Sequence, residues 1–136
     1  MEQIERAESA LLRLPQVPCP ITHLFAPGIY WREVYLPAGV FAIGHQHKAG
    51  HLNVMLSGRV RVLVDGCVQE LVAPQVFQSG PGVRKMIYAV EPTRWANVHA
   101  NPGDETDPGE LEVLCVEKSG SFLEYEDDMK QLKRDN

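Results

Sequence analysis

The chain has 136 residues, 44% of them hydrophobic and 23% charged, which is enough to bury one continuous core but not two. A formal net charge of -5 with scattered Lys and Arg offers no basic stripe, which argues against nucleic acid as a partner. No apolar run approaches the roughly 20 residues of a spanning helix and the acidic start is unlike a signal peptide, so a cytoplasmic protein without a membrane partner is expected. The three cysteines, Cys19, Cys67 and Cys115, are odd in number and lack CxxC spacing, which predicts reduced thiols rather than a disulfide framework.

Residues 2–14 carry Ile4, Ala7, Leu11 and Leu14 at helical spacing and stop at Pro15, predicting a short amphipathic helix. Residues 15–28 hold Pro15, Pro18, Pro20 and Pro27 and predict an extended, irregular arm, so that 1–28 packs as one unit on the body of the protein. From residue 29 the texture changes to short apolar or alternating runs cut by Gly and Pro: 29–36, 40–44, 52–56, 59–64, 67–71, 83–90, 94–100 and 111–117. About eight strands joined by short turns predict an antiparallel sandwich or barrel over 29–117. Over 118–136, Phe122, Tyr125, Met129 and Leu132 recur at helical spacing and predict a terminal helix.

Three of the five histidines, His45, His47 and His51, fall close together. His45 and His47 are two apart at a strand end, so their side chains are expected on one face. Ser57-Gly58 suits a tight hairpin turn; pairing Leu56 with Arg59 puts His51, Asn53 and Met55 on a charge-free face with Val60, Val62 and Val64. The opposite face carries Arg59 and Arg61 and is taken as the outer one, which points His51 inward. That outer face also holds Leu52, Val54, Leu56 and Leu63, so a cover from the N-terminal arm or from a second subunit is expected, and with it a homodimer. Glu91-Pro92-Thr93 as a three-residue connection pairs Val90 with Arg94 and sets Lys85 beside His99, so that His99 and Trp95 face inward if Lys85 does, whereas a four-residue loop inverts this; His99 is a second-line ligand or an acid or base candidate. His23, in the proline-rich arm, reads as a surface residue. Asp104, Glu105 and Asp107 read as a solvated turn. Tyr30, Trp31 and Tyr35 read as core or interface, with Trp31 or Tyr35 able to line a barrel mouth.

At this spacing Gly39, His45, His47, His51 and Gly58 resemble the first motif of the cupin superfamily, G-x5-H-x-H-x3-E-x6-G, with His51 at the glutamate position. Residues 79–85, SGPGVRK, resemble the second motif, P-G-x-x-H, with Lys85 at the histidine position. The resemblance covers residues 29–116 and is to compact single-domain cupins, including those of phage and prophage gene sets. It implies an all-β, single-domain double-stranded β-helix, or jelly-roll barrel, with short N- and C-terminal helices and a site inside its mouth. It also implies one divalent metal, for which His45 and His47 match directly and His51 is a substituted but competent ligand.

Three neutral imidazoles suit zinc, iron, manganese or nickel and leave positions open for water or substrate. Beside a dication, the Lys85 ammonium must either lose its proton or hold an anion between the two charges; alternatively it turns outward along the strand. With Arg84 adjacent, the pocket is expected to favour a small anionic molecule: a carboxylate, phosphate or enolate. Two functions follow. One is a metal-dependent isomerase or dioxygenase in which Lys85 or His99 orients the anion or moves a proton. The other is a non-catalytic small-molecule-binding or structural dimeric module without metal. Transcriptional regulation is disfavoured, because no helix-turn-helix segment is present.

Overall fold

The computed structural model describes residues 2–135. In chain order the elements are α1 (Glu2–Leu11), β1 (Ile21–Ala26), β2 (Gly28–Leu36), β3 (Phe41–Ile43), β4 (Gln46–His47), β5 (His51–Ser57) and β6 (Arg59–Val64). They continue with β7 (Cys67–Val72), β8 (Gln75–Ser79), β9 (Met86–Ala89), β10 (Thr93–Asn101), α2 (Pro108–Cys115), β11 (Val116–Glu117) and α3 (Gly120–Asp135). The strands build a five-stranded sheet in the order β1-β2-β10-β5-β8, a four-stranded sheet β3-β9-β6-β7, and a small β11-β4 pair. Every pairing is antiparallel. No helix among the described residues is long and apolar enough to cross a membrane.

Two connections are true hairpins, and both have the residues such turns require. Pro27-Gly28 joins β1 to β2, with Ala26 opposite Ile29 and Gly28 at φ 74°. Asp65-Gly66 joins β6 to β7, with both residues at positive φ and Val64 opposite Cys67. Ser57-Gly58 is different. It carries the chain from β5 in the five-stranded sheet to β6 in the four-stranded one, so the hairpin expected there does not exist. The Glu91-Pro92-Thr93 connection likewise crosses between sheets, and the expected pairing of Lys85 with His99 is absent: β9 pairs with β3 and β6, β10 with β2 and β5.

The faces expected from the false hairpin nevertheless hold. His51, Asn53 and Met55 are buried on β5, Val60 and Val62 on β6, while Leu52, Leu56 and Arg61 point out. Period-two alternation assigns a face within each strand whichever neighbour it pairs with. Met55, Val60, Val62 and Trp95 form the core between the sheets, with Phe77 edge-on to Trp95 at 5.6 Å. Each such side chain contributes about 1.5–3 kcal/mol on burial.

Three further segments depart from expectation. Ile21–Ala26, within the proline-rich arm, becomes an edge strand because β2 offers it a ladder. Gln75–Ser79, not predicted as a strand, pairs with β5; it is an edge strand with one half-buried apolar residue, Phe77, so it carries little alternation. Residues 111–117, expected as a strand, are mostly the helix α2. The Asp107 carboxylate caps it by accepting from the amides of Gly109 at 2.8 Å and Glu110 at 3.4 Å, with Pro108 in its first turn. The acidic loop is therefore partly a helix cap, and Asp104 accepts from the Gly28 amide at 2.8 Å.

At the N-terminus, α1 buries Ile4 and Glu8. The Glu8 carboxylate accepts from Arg84 and from the Ser119 hydroxyl, while Arg84 also donates to the Gly44 carbonyl at 2.8 Å. This buried pair ties α1, the barrel and the start of α3 together. Losing one partner of such a pair costs about 3–5 kcal/mol, since it strands the other charge.

Candidate metal and anion site

The inner face of the five-stranded sheet is organised in rows set by its register. Tyr30 of β2 lies opposite His99 of β10, and Arg32 opposite Asn97; Val34 lies opposite Trp95. On the other side of β10, Asn97 faces Asn53 and Trp95 faces Met55; one step further, His99 comes beside His51. The wall thus grades from a tyrosine-histidine row, through an arginine-asparagine row, to an apolar floor. A cavity of about 390 Å³ runs along these rows, closed on its other sides by Ala42, Lys85 and Ile87 and by Leu111, Glu112 and Cys115 of α2.

His47, His51 and His99 converge at one end, with one ring nitrogen from each lying within 4.8 Å of the others. His47 reaches the group from the short β4 strand, which is held by β11 and by the His47 amide on the Val83 carbonyl. The His51 Nδ1–H donates to the Ala49 carbonyl at 3.2 Å, which leaves the Nε2 lone pair free. Among the described residues, His45 Nδ1, His47 Nδ1 and His51 Nε2 are buried without a hydrogen-bond partner, and the last two belong to the convergent group. Burial keeps all three rings of that group neutral. Desolvation, reinforced by His51, His99 and Lys85, holds His47 at about 3, and desolvation with His51 and Arg32 holds His99 at about 4. His51 is pushed down by burial too, against the opposing Ala49 hydrogen bond. Neutral, convergent and partly orphaned nitrogens are the donor set a first-row divalent ion takes.

His45, expected among the ligands, is not part of this group. Its Nε2 stands 3.8 Å from a Glu112 carboxylate oxygen and its ring meets Phe122 edge-on at 4.5 Å. Gly44 and His45 lie between β3 and β4, so no strand period links His45 to His47. His99 takes the third place instead. The sequence offers His99 as a second-line ligand or as an acid or base beside Lys85; it joins the group through β10–β5 pairing rather than through the residues near it in sequence.

Lys85 is buried and lines the cavity, its pKa lowered to about 8 by desolvation. Arg84 is not beside it in the cavity, because the Glu8 carboxylate holds it at the base of α1. The second cation is Arg32, half-buried in the cavity wall. Sequence reasoning passed over it, although it occupies the inward parity of Tyr30, Val34 and Leu36. His23, expected at the surface, meets the Tyr30 hydroxyl at 2.6 Å in the cavity wall, where Tyr30 is raised by burial. Trp31 and Tyr35 share the opposite parity and face away from the cavity.

No protein-family model matches the chain, and no curated protein matches it in sequence. Solved structures do. A cupin superfamily protein from Desulfitobacterium hafniense DCB-2 is 12% identical with a TM-score of 0.54, over 68% of this chain and 85% of its own. A cupin 2 domain-containing protein from Halorhodospira halophila is 16% identical with a TM-score of 0.54, over 74% and 79%. DMSP lyase DddQ from Ruegeria pomeroyi DSS-3 is 18% identical with a TM-score of 0.55, over 65% of this chain and 49% of its own. The chain has the cupin fold, as its motifs implied.

Proposed function

We propose that this cupin-fold chain binds one divalent first-row metal through His47, His51 and His99 and holds a small anionic ligand beside it with Lys85. The observation that carries the reading is the convergence of three neutral imidazoles, two of them with a buried nitrogen that no described residue satisfies. A bound metal would supply Lewis acidity toward a ligand oxygen. The rest falls to the chain's own residues: Lys85 has no ion-pair partner among the described residues and neutralises an anion, while Tyr30 and His23 form a hydroxyl–imidazole pair able to hold or pass a proton. Such a site suits isomerisation or oxygen-dependent cleavage of a small anion.

The test is elemental analysis of the purified protein, then titration of chelator-treated protein with zinc, manganese, iron and nickel. Near-stoichiometric metal is expected in the wild type and in His45→Ala, and less than about a tenth as much in His47→Ala, His51→Ala and His99→Ala. A wild-type protein that neither carries nor takes up metal overturns the reading.

One observation favours the metal-free alternative: the His47 and His51 rings stack with centroids 3.9 Å apart and planes 25° apart. A binding module without metal would keep its ligand-induced rise in melting temperature when His47, His51 and His99 are all alanine. The expected homodimer has its own support in an apolar row on the outer face of the five-stranded sheet, Leu24, Trp31, Val98 and Leu52, in cross-strand register. Leu24 and Leu52 in this row are 56% and 45% exposed.

A further inference from the structure

Glu8 is a carboxylate buried on a helix that otherwise buries only Ile4. It does not line the cavity, yet its two oxygens reach two different segments: Oε2 accepts from the Arg84 guanidinium and Oε1 from the Ser119 hydroxyl. A buried ion pair is a weak source of stability, because well-packed apolar side chains of similar volume serve as well. What it supplies is direction, since charge-assisted hydrogen bonds fix the positions of the groups they join. Both arms lead to the short strand β4.

On one flank, Arg84 also donates through Nε to the Gly44 carbonyl at 2.8 Å, and the Gly44 amide donates to the Lys85 carbonyl at 3.1 Å. Regular pairing of β3 with β9 ends at Ile43 opposite Met86, while further along the His47 amide donates to the Val83 carbonyl at 3.3 Å. Three residues, 44–46, therefore stand opposite two, Arg84 and Lys85, and the guanidinium holds that irregular stretch. On the other flank, β11 pairs Val116 with His47 and Glu117 with Gln46, and the Lys48 amide donates to the Cys115 carbonyl at 2.9 Å. Ser119, two residues beyond β11, accepts from the Phe122 amide at 3.1 Å and so starts α3. Strand β4 itself is two residues long, and a pair of that size has little stability of its own. Its position depends on its flanks.

We infer that Glu8 is a positioning residue for His47: from outside the cavity it anchors Arg84 on one flank of β4 and Ser119 on the other, and so keeps the His47 imidazole within the histidine group. This rests on the metal reading above and names what holds that site in place. Ser9 of α1 also meets Ser121 of α3, hydroxyl to hydroxyl at 3.1 Å, so α1 is seated on α3 beside the same arm. The N-terminal helix is thus a clip on the strand that carries His47.

The test combines Glu8→Met with Arg84→Met, which removes both buried charges together and strands neither. Ser119→Ala, which cuts only the second arm, guards against a double variant that misfolds. Arg59→Met with Glu70→Met, at an exposed pair, is the control. Amide hydrogen exchange is followed by NMR on chelator-treated protein, and manganese affinity by titration. The Gly44, His47, Lys48 and Gly82 amides, all hydrogen-bonded around β4, should exchange at least about tenfold faster in the double variant, and that of Lys48 in Ser119→Ala, with the amides of β6 unchanged. Manganese binding should weaken about tenfold or more in the double variant and about threefold in Ser119→Ala, and not in the control. Unchanged exchange at these amides, or loosening that extends equally to β6, overturns the inference. So does a manganese affinity within about twofold of wild type in a folded variant whose β4 amides have loosened. Should the wild type take up no metal, exchange alone decides: local loosening around β4 sustains the clip and its absence overturns it, so failure of the metal centre is read separately.

Discussion

A single hydrogen bond sets the tautomer of His51. Donation from its Nδ1 to the Ala49 carbonyl selects the tautomer whose lone pair is on Nε2, the atom that lies buried and unpartnered. The same burial makes the site sensitive to acid. In the folded chain His47 titrates at about 3 and His99 at about 4, against roughly 6.5 for an unfolded histidine. Below about pH 6.5 the unfolded chain binds more protons than the folded one, so the stability these residues contribute is present above that pH and is lost as pH falls toward 4 and then 3. The melting temperature of the chelator-treated protein should therefore change little between pH 6.5 and 7.5 and fall steadily below 6.5, by roughly 4 °C for each kcal/mol lost, with a shallower fall in His47→Gln. A melting temperature independent of pH between 7 and 4.5 would show that the rings are not buried neutral. At this scale the histidine types and the inward direction of His51 were legible, because alternation within one strand needs no partner. Arg32 and Glu8 each place a charge on an apolar parity, one on a strand and one on a helix face, which is a signal the sequence carries.

Among the elements, turns decide what can be inferred. Pro-Gly and Asp-Gly carry their own conformations and closed the two hairpins they suggest. Ser57-Gly58 carries only a glycine. Gly58, at φ 99°, is needed because the chain passes against the β9–β10 connection; a Cβ there would overlap the Thr93 hydroxyl and the Pro92 carbonyl oxygen. Gly58→Ala is expected to cost about 2 kcal/mol or more, read as a lowered denaturant midpoint at unchanged slope, because strain at positive φ adds to the clash. A stability within 0.5 kcal/mol of wild type would mean that the strand-to-strand passage is not tight. The strand expected over 111–117 failed for a related reason. Its apolar run fits either period, and the Asp107 cap with Pro108 settles it as a helix that supplies Leu111, Glu112 and Cys115 to the cavity.

At the level of the whole molecule, two sheets face each other so that one inner wall carries chemistry and the other mainly aliphatic contact. The outer wall of the five-stranded sheet carries the Leu24, Trp31, Val98 and Leu52 row, beside the exposed Val76. The N-terminal arm does not cover it, since its second half joins the sheet edge as β1. A second copy packed on this face predicts a dimer by light scattering, reduced to monomer by Leu52→Asp with little change in metal content; a monomeric wild type at all concentrations tested would refute it. By itself the sequence determined the all-β class, the inward and outward faces of β5 and β6, and the supply of imidazoles, because these follow from residue type and period along one segment; the burial of Lys85 did not. Only the tertiary structure decided which strands are neighbours. Pairing of β10 between β2 and β5 is a long-range choice made by packing the two sheets. That choice brought His99 to His47 and His51, turned His45 toward Glu112, and set Arg32 opposite Asn97 one row away.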